Sequence, residues 1–286
     1  MERDEKRNGI PTRELGSTGE RVTIIGVGGF HIGSAGRPLG VRIIRQAIDE
    51  GVNFCDNAWC YHRGESERIM GEALGDGYRG QVFLMTKNHG RDGDTFRTQL
   101  EESLRRLQTD VIDLVQFHDL RQPNEPARIL HGGALEAAIA AREEGKLRFI
   151  GFTGHYSPDL HAEMLAHPHP WDAVQMPINV RDAEDRSFAC QILPILRARG
   201  IGAIGMKSLA GGRLLRAGFT PEEALGYALS QPIDVLVTGI DSLEILSQNL
   251  RIARAFHYVE EGEQEALIGR AEEADPECSL EYYKAS

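Results

Sequence analysis

Asp56, Tyr61, Lys87 and His118 carry complementary proton chemistry, and each lies at or just beyond the end of an apolar run that reads as a β-strand. Asp56 closes the run Asn53–Asp56, with Tyr61 following after four intervening residues. Lys87 closes Val82–Lys87, and His118 closes Ile112–His118. A phenol can donate a proton, a neighbouring ammonium can lower its pKa, a carboxylate can hold that ammonium charged and oriented, and an imidazole can position a carbonyl oxygen. Free tyrosine titrates near ~10 and is a poor acid at neutral pH. Two unit charges about 4 Å apart at an effective dielectric of about 20 interact by roughly 4 kcal/mol, an upper range of about three pKa units. One lysine is therefore enough to make Tyr61 useful. Taken singly, each residue has an ordinary explanation: surface packing for a loop tyrosine, a structural role for a strand-end histidine, a simple ion pair for an Asp and a Lys. Their joint placement on three successive strand ends is what argues for chemistry.

Such convergence requires strands lying side by side with their C-terminal ends on one face. The chain repeats, eight times, a short β-branched run followed by a segment of helical period. The strands read as Thr23–Val27, Asn53–Asp56, Val82–Lys87, Ile112–His118, Phe149–Thr153, Ala173–Asn179, Gly202–Met206 and Val235–Gly239. The helices read as Val41–Glu50, Ser66–Leu74, Asp94–Leu107, Gly133–Glu144, Pro158–Ala166, Asp185–Arg199, Pro221–Leu229 and Ser242–Phe256. Gly51, Gly145 and Gly200 stand where helices would end in the left-handed conformation. Eight βα units predict an α/β fold, a closed (β/α)8 TIM barrel, with the active face at the strand C-terminal ends. Ahead of it, Thr12–Leu15 and Glu20–Thr23 flank Gly16-Ser17-Thr18-Gly19, predicting an N-terminal β-hairpin that plugs the barrel floor. The expected organisation is one domain over 1–286, with the hairpin in 1–22 and an acidic tail over 257–286 packing as a short outer helix. A doubly wound sheet is the competing architecture, but Gly26-Val27-Gly28-Gly29-Phe30-His31 lacks the third glycine of the dinucleotide fingerprint.

Composition narrows the partners. A chain of 286 residues that is 41% hydrophobic can bury one sizeable core. A formal charge of −11 repels nucleic-acid phosphates and anionic lipid headgroups. No run approaches the ~20 apolar residues of a membrane span, and Met1–Asn8 is polar where a signal peptide would be apolar, so a cytoplasmic location is expected. Cys55, Cys60, Cys190 and Cys278 are too few for a disulfide framework. Cys55 and Cys60 could form half of a metal site, but no second Cys or His pair at ligand spacing completes it, and no metal is expected.

The stretches GVNFCDNAWCYHRGESERIMGEAL, VFLMTKNHG and IDLVQFHDL, with G-x-S-E at Gly64-Glu65-Ser66-Glu67, resemble the aldo-keto reductase family over nearly the whole chain. The resemblance implies that Asp56, Tyr61, Lys87 and His118 form a catalytic tetrad. It implies an NADP- or NAD-dependent hydride transfer that reduces an aldehyde or ketone, or runs in reverse on an alcohol, with Tyr61 as general acid. Cofactor contacts are implied for Gly29, Thr153, Gln175 and Gly239. Gly154 replaces the family's amide, with His155 as a neighbouring substitute, and Met206 stands where a stacking tyrosine is usual. Lys207, Ser208, Leu209, Gly211 and Arg213 match the loop around the pyrophosphate, and Gln248 and Asn249 match residues that grip the adenosine. Asp241 would repel a 2′-phosphate, whereas the family's bias toward NADPH and the reach of Arg251 favour one, so the choice stays open. Phe30, Trp59, His62 and His89, with His31, are expected to line the substrate mouth. Two alternatives stand beside this reading: a non-catalytic module on the same fold that senses nicotinamide cofactor, and a barrel isomerase or hydrolase that uses no nucleotide.

Overall fold

The computed structural model describes residues 5–183, 186–277 and 279–284. Strands β1 (Lys6–Arg7), β2 (Ile10–Glu14) and β3 (Arg21–Thr23) form an antiparallel sheet in that order. The expected hairpin is its β2–β3 half, with Thr12 opposite Thr23. The added strand β1 turns into β2 through Asn8 and Gly9, at φ 47° and 82°. A two-residue Asn-Gly turn with positive φ at both positions is a strong hairpin signal, missed because Lys6-Arg7 shows no apolar alternation.

Eight strands then close a parallel barrel: β4 (Ile25–Gly28), β5 (Phe54–Asp56), β6 (Phe83–Asn88), β7 (Ile112–Phe117), β8 (Leu147–Thr153), β9 (Ala173–Pro177), β10 (Gly202–Met206) and β11 (Val235–Gly239). β11 pairs with β4 and β10 with β9, which completes the ring. His118 falls just after β7 rather than inside it, and β9 stops at Pro177, short of the expected Asn179. The hairpin plugs the floor as expected. Leu15 and Val22 are fully buried in one cluster with Phe54, Phe83, Met85, Leu114, Ile204 and Val235. Gly16 seals that contact at φ 52°, where an added Cβ would lie 2.3 Å from the Gly202 amide nitrogen.

Period-two alternation along the strands builds the active layer. Phe54, Met85, Leu114 and Ala173 belong to the apolar interior, and two residues further along the same strands stand Asp56, Lys87, Gln116 and Gln175, all buried. A polar storey thus rests on an apolar one at the C-terminal end of the barrel.

Helices cover the outside close to their expected bounds, for example Gly93–Leu107 and Leu243–Arg254. Gly51, Gly145 and Gly200 all take positive φ at helix ends. Two differences stand out. The β7 loop holds an extra helix, Glu125–His131. The expected helix Asp185–Arg199, whose first residue lies outside the described residues, is instead Phe188–Gln191 and Leu193–Arg199, broken where Pro194 withholds an amide and clashes with the preceding turn. The tail forms the helix Glu261–Ala274. Cys55, Cys60 and Cys190 are free thiols, and Cys278 lies outside the described residues. Among the described residues no helix is long and apolar enough to cross a membrane.

His161 is buried on the helix Pro158–Ala166, its ring 5.3 Å from Phe152 and 5.0 Å from Phe188, and Nε2 donates toward the Gln175 carbonyl at 3.4 Å. Burial pushes its pKa from 6.5 down to about 4, so the folded protein holds it neutral. The unfolded chain takes up a proton below 6.5, so stability from this residue is present above that pH and is lost as pH falls toward 4, on the order of 3 kcal/mol. His161→Phe is expected to flatten this acid limb. Urea midpoints at neutral pH and near pH 4.5 would move closer together, and a gap as wide as in the wild type would assign the acid sensitivity to other groups.

Candidate active site

The polar storey converges on Lys87. Its Nζ pairs with Asp56 Oδ1 and donates to the Asn57 carbonyl at 2.8 Å and to the Tyr61 hydroxyl at 3.4 Å. The ammonium also lies 5.0 Å from the Tyr61 ring centroid. His118 meets Tyr61 edge-on, with ring centroids 5.7 Å apart. The four residues expected from strand ends therefore face one mouth.

The loop carrying Tyr61 is held by the residues around it. Asn57 and Trp59 donate their backbone amides to the Met85 and Lys87 carbonyls of β6. Tyr61 opens a single helical turn, Tyr61–Gly64, in which His62 and Arg63 take φ 48° and 57°. Ser66 of the G-x-S-E segment donates to the Gly29 carbonyl at 2.6 Å. Glu67 is fully buried, accepting from Thr86 Oγ1 at 2.7 Å and from Arg106 Nη1 at 3.2 Å. The same guanidinium donates to the Trp59 carbonyl at 3.0 Å and to Glu102 at 3.0 Å. Gly64, at φ 85°, leaves room for it: a Cβ there would come within 2.6 Å of Arg106 Cζ. Arg106 lies some forty positions from the motif it supports, which hides it from any reading by local spacing.

Burial dominates the electrostatics. It raises the Asp56 carboxyl pKa, against the pull of Lys87 and of a hydrogen bond from Gln175. Tyr61 is pushed well above the usual phenol value, first by desolvation and then by Asp56, Cys60 and Asp119. This departs from the expected lowering by Lys87. The lysine's charge is met by Asp56, whose own charge acts on Tyr61 with the opposite sign, so the phenol keeps its proton. His118 is held well below the usual imidazole value by burial, then by Lys87, His89, His155 and Arg91, and is therefore neutral. Arg91, another residue that spacing does not reveal, is buried against Glu125 and donates to the His118 carbonyl at 2.6 Å.

The expected cofactor residues ring the same rim. Thr153 ends β8 and is the register partner of Gln175 in the middle of β9, and Gln175 Oε1 is buried with no hydrogen-bond partner among the described residues. Gly29 opens the helix after β4, Met206 ends β10, and Gly239 ends β11 beneath the His31 ring. Lys207, Ser208, Leu209 and Gly211 form the loop after β10, with Lys207 at φ 56°. Asp241 is exposed after β11, and Gln248 and Asn249 lie on the following helix. His155, considered as a substitute amide, instead faces Asp119 Oδ1 at 3.3 Å. Arg251, considered for the 2′-phosphate, pairs with Glu222 at 3.1 Å.

Arg213 and the tail require a correction. Beyond the expected outer helix, the final segment folds over the loop after β10 at the barrel rim. Arg213 donates to the Ser279 carbonyl and stacks 4.1 Å over Tyr282. Tyr283 is buried, its ring 4.7 Å from Lys207 Nζ and 5.6 Å from His155. Lys284 pairs with Asp182 at 2.7 Å. Of the expected substrate wall, Phe30 meets Tyr61 edge-on at 5.5 Å and His62 at 5.1 Å. Trp59 meets His89 at 6.4 Å across the mouth, and His89 lies 4.5 Å from His118. Cys60 Sγ sits 3.7 Å from His118 Nδ1.

A closed parallel barrel with a buried carboxylate–ammonium pair, a phenol and a neutral imidazole at its C-terminal mouth has the architecture of a barrel enzyme. Residues 24–232 match the model of the aldo/keto reductase family, and the chain belongs to that family, whose members are NAD(P)-dependent oxidoreductases. It is 29% identical over 221 residues to L-galactose dehydrogenase of Arabidopsis thaliana, a match covering 73% of this chain and 68% of that protein. It is 24% identical to an uncharacterized oxidoreductase of Bacillus subtilis, over 87% of this chain and 93% of the other. The holo form of the aldo-keto reductase AKR11C1 from Bacillus halodurans shares the fold, with TM-score 0.77 at 22% identity, covering 91% of this chain and 96% of that one. So does the glycerol dehydrogenase AKR11B4 from Gluconobacter oxydans, with TM-score 0.75 at 21% identity over 93% and 96%.

Removing Arg106 leaves Glu67 buried without its cation. Arg106→Ala is expected to lower the unfolding free energy by about 3 kcal/mol. It is also expected to reduce kcat/KM by roughly 10-fold or more through the freed Trp59–Gly64 turn. Denaturation and steady-state assays on one preparation separate the effects: lost stability with intact turnover would leave Arg106 a role in folding alone.

Proposed function

We propose that this chain reduces an aldehyde or ketone to an alcohol, or runs the reverse oxidation, with Tyr61 as the proton donor. The observation carrying this reading is the convergence of Lys87 on Asp56, the Asn57 carbonyl and the Tyr61 hydroxyl beside a neutral His118. Tyr61 offers its proton to the oxygen of a carbonyl that the neutral His118 ring orients by hydrogen bonding. Lys87 lies against the phenol and steadies the oxygen as the proton leaves, and Asp56 keeps the ammonium in place. The buried, unpartnered Gln175 Oε1 fits the amide hydrogens of a nicotinamide carboxamide, with Thr153 beside it in register. When bound, the reduced nicotinamide supplies the hydride to the carbonyl carbon.

NADH is the proposed preference. Asp241 is exposed at the position where the family resemblance implies a 2′-phosphate contact, and Arg251 is engaged by Glu222. Two of the similar proteins are named for L-galactose and glycerol, and a wall that mixes Phe30 and Trp59 with His62 and His89 suits a small hydroxylated carbonyl. The net charge of −11 supports a small-molecule substrate over a nucleic acid or a membrane surface, and a cytoplasmic site of action is proposed with it.

Tyr61→Phe is expected to cost on the order of 10²–10⁴ in turnover across aldehydes, ketones and sugars while leaving nucleotide binding intact. Wild-type rates in that variant would overturn the mechanism, and tight nucleotide binding by a wild type without turnover would favour a sensing role. Asp241→Lys is expected to shift the NADPH-to-NADH affinity ratio toward NADPH by roughly 10-fold. An unmoved ratio would reject Asp241 as the discriminating group.

A further inference from the structure

Two residues at the mouth, Cys60 and His89, have no part in the proposed proton transfer, and both lie against His118. Cys60, His89 and His118 come from the ends of three successive strands, and their ligand atoms all lie within 4.8 Å of one another. Cys60 Sγ and His118 Nδ1 are 3.7 Å apart. Tetrahedral zinc, with bonds of about 2.3 Å to sulfur and about 2.0 Å to nitrogen, separates two such ligands by roughly 3.5 Å. His89 Nε2 is buried with no hydrogen-bond partner among the described residues, although its backbone amide is fixed by Gln99 Oε1 at 2.8 Å. A desolvated nitrogen acceptor beside a thiol and a second imidazole is poorly satisfied without a cation. From separations of at most 4.8 Å, side-chain movement of about an ångström or less brings the three atoms to that spacing.

We propose that Cys60, His89 and His118 form a binding site for a thiophilic divalent cation of the zinc type, with a fourth position open to water. On binding, the Cys60 thiol releases its proton to solvent and its sulfur joins two neutral imidazole nitrogens, so the metal neither gains nor loses electrons. Hard cations such as Mg²⁺ lack the preference for this donor set. The site takes His118 away from the carbonyl, so zinc acts as a reversible inhibitor that competes with the carbonyl substrate. That kinetic consequence rests on the proposed function, whereas the binding itself does not.

The test uses the full chain, with and without nicotinamide nucleotide, titrated with Zn²⁺ against a chromophoric chelator and separately with Co²⁺. The expected result is one equivalent of zinc, a cobalt spectrum with a thiolate-to-metal charge-transfer band, and inhibition that rises as carbonyl concentration falls and is reversed by chelator. Cys60→Ser is expected to weaken zinc by roughly 100-fold or more in the chelator assay. His89→Gln is expected to weaken zinc in the chelator assay. Zinc held by Cys60→Ser as tightly as by the wild type, or a cobalt complex without the thiolate band, overturns the proposal. Because chelator competition and the cobalt spectrum need no turnover, failure of the catalytic reading is told apart from failure of this one.

Discussion

The buried pairing of Asp56 with Lys87 is the constraint from which the site follows. Taking both charges out of water costs several kcal/mol per ion, and only close geometry with further hydrogen bonds offsets it. The Asn57 carbonyl, Gln175 and the Tyr61 hydroxyl supply those bonds. The pair is held by two adjacent parallel strands whose neighbouring interior residues, Phe54 and Met85, make the floor beneath it. A slip of one residue in either strand would turn the charge out of the barrel and an apolar side chain into the mouth. Barrel closure and the ionised pair therefore depend on each other.

Much of this was legible in the sequence because it is periodic and local. Eight strands, their order of use and the four polar groups at their ends came from alternation and spacing, and Gly64, Ser66 and Glu67 were marked by their motif. Arg106, Arg91 and His89 as a neighbour of Cys60 were not, because each meets its partner across elements widely separated in the chain. Cys60 looked like half of a pair with Cys55, but Cys55 is fully buried in the apolar core. The sign of the Tyr61 shift was also out of reach: it depends on how much water the phenol loses and on how completely Asp56 answers Lys87. The strand Lys6–Arg7 carried its signal in the turn, Asn8-Gly9, rather than in its own side chains.

The rim is held in conformations that most residues avoid. Non-glycine residues at positive φ include His62, Arg63, Asp119, Lys207 and Ala210, all in loops leaving the C-terminal ends of β5, β7 and β10. Such positions persist only where surrounding contacts over-determine them. Here the contacts are identifiable: Arg106 over Gly64, Arg121 on Asp119, and Tyr283 beneath Lys207. The mouth is shaped before any ligand arrives, which limits the reorganisation that binding must drive.

The end of the chain shares in that shaping. Arg213 clasps Ser279 and Tyr282, Lys207 lies on Tyr283, and Lys284 is locked to Asp182. The loop after β10 and the last described residues are thus anchored on each other, although more than sixty positions separate them in the chain. Loss of either removes contacts that hold the other, and segments tied in this way tend to open as one unit, which amide exchange at Ser279–Lys284 would read.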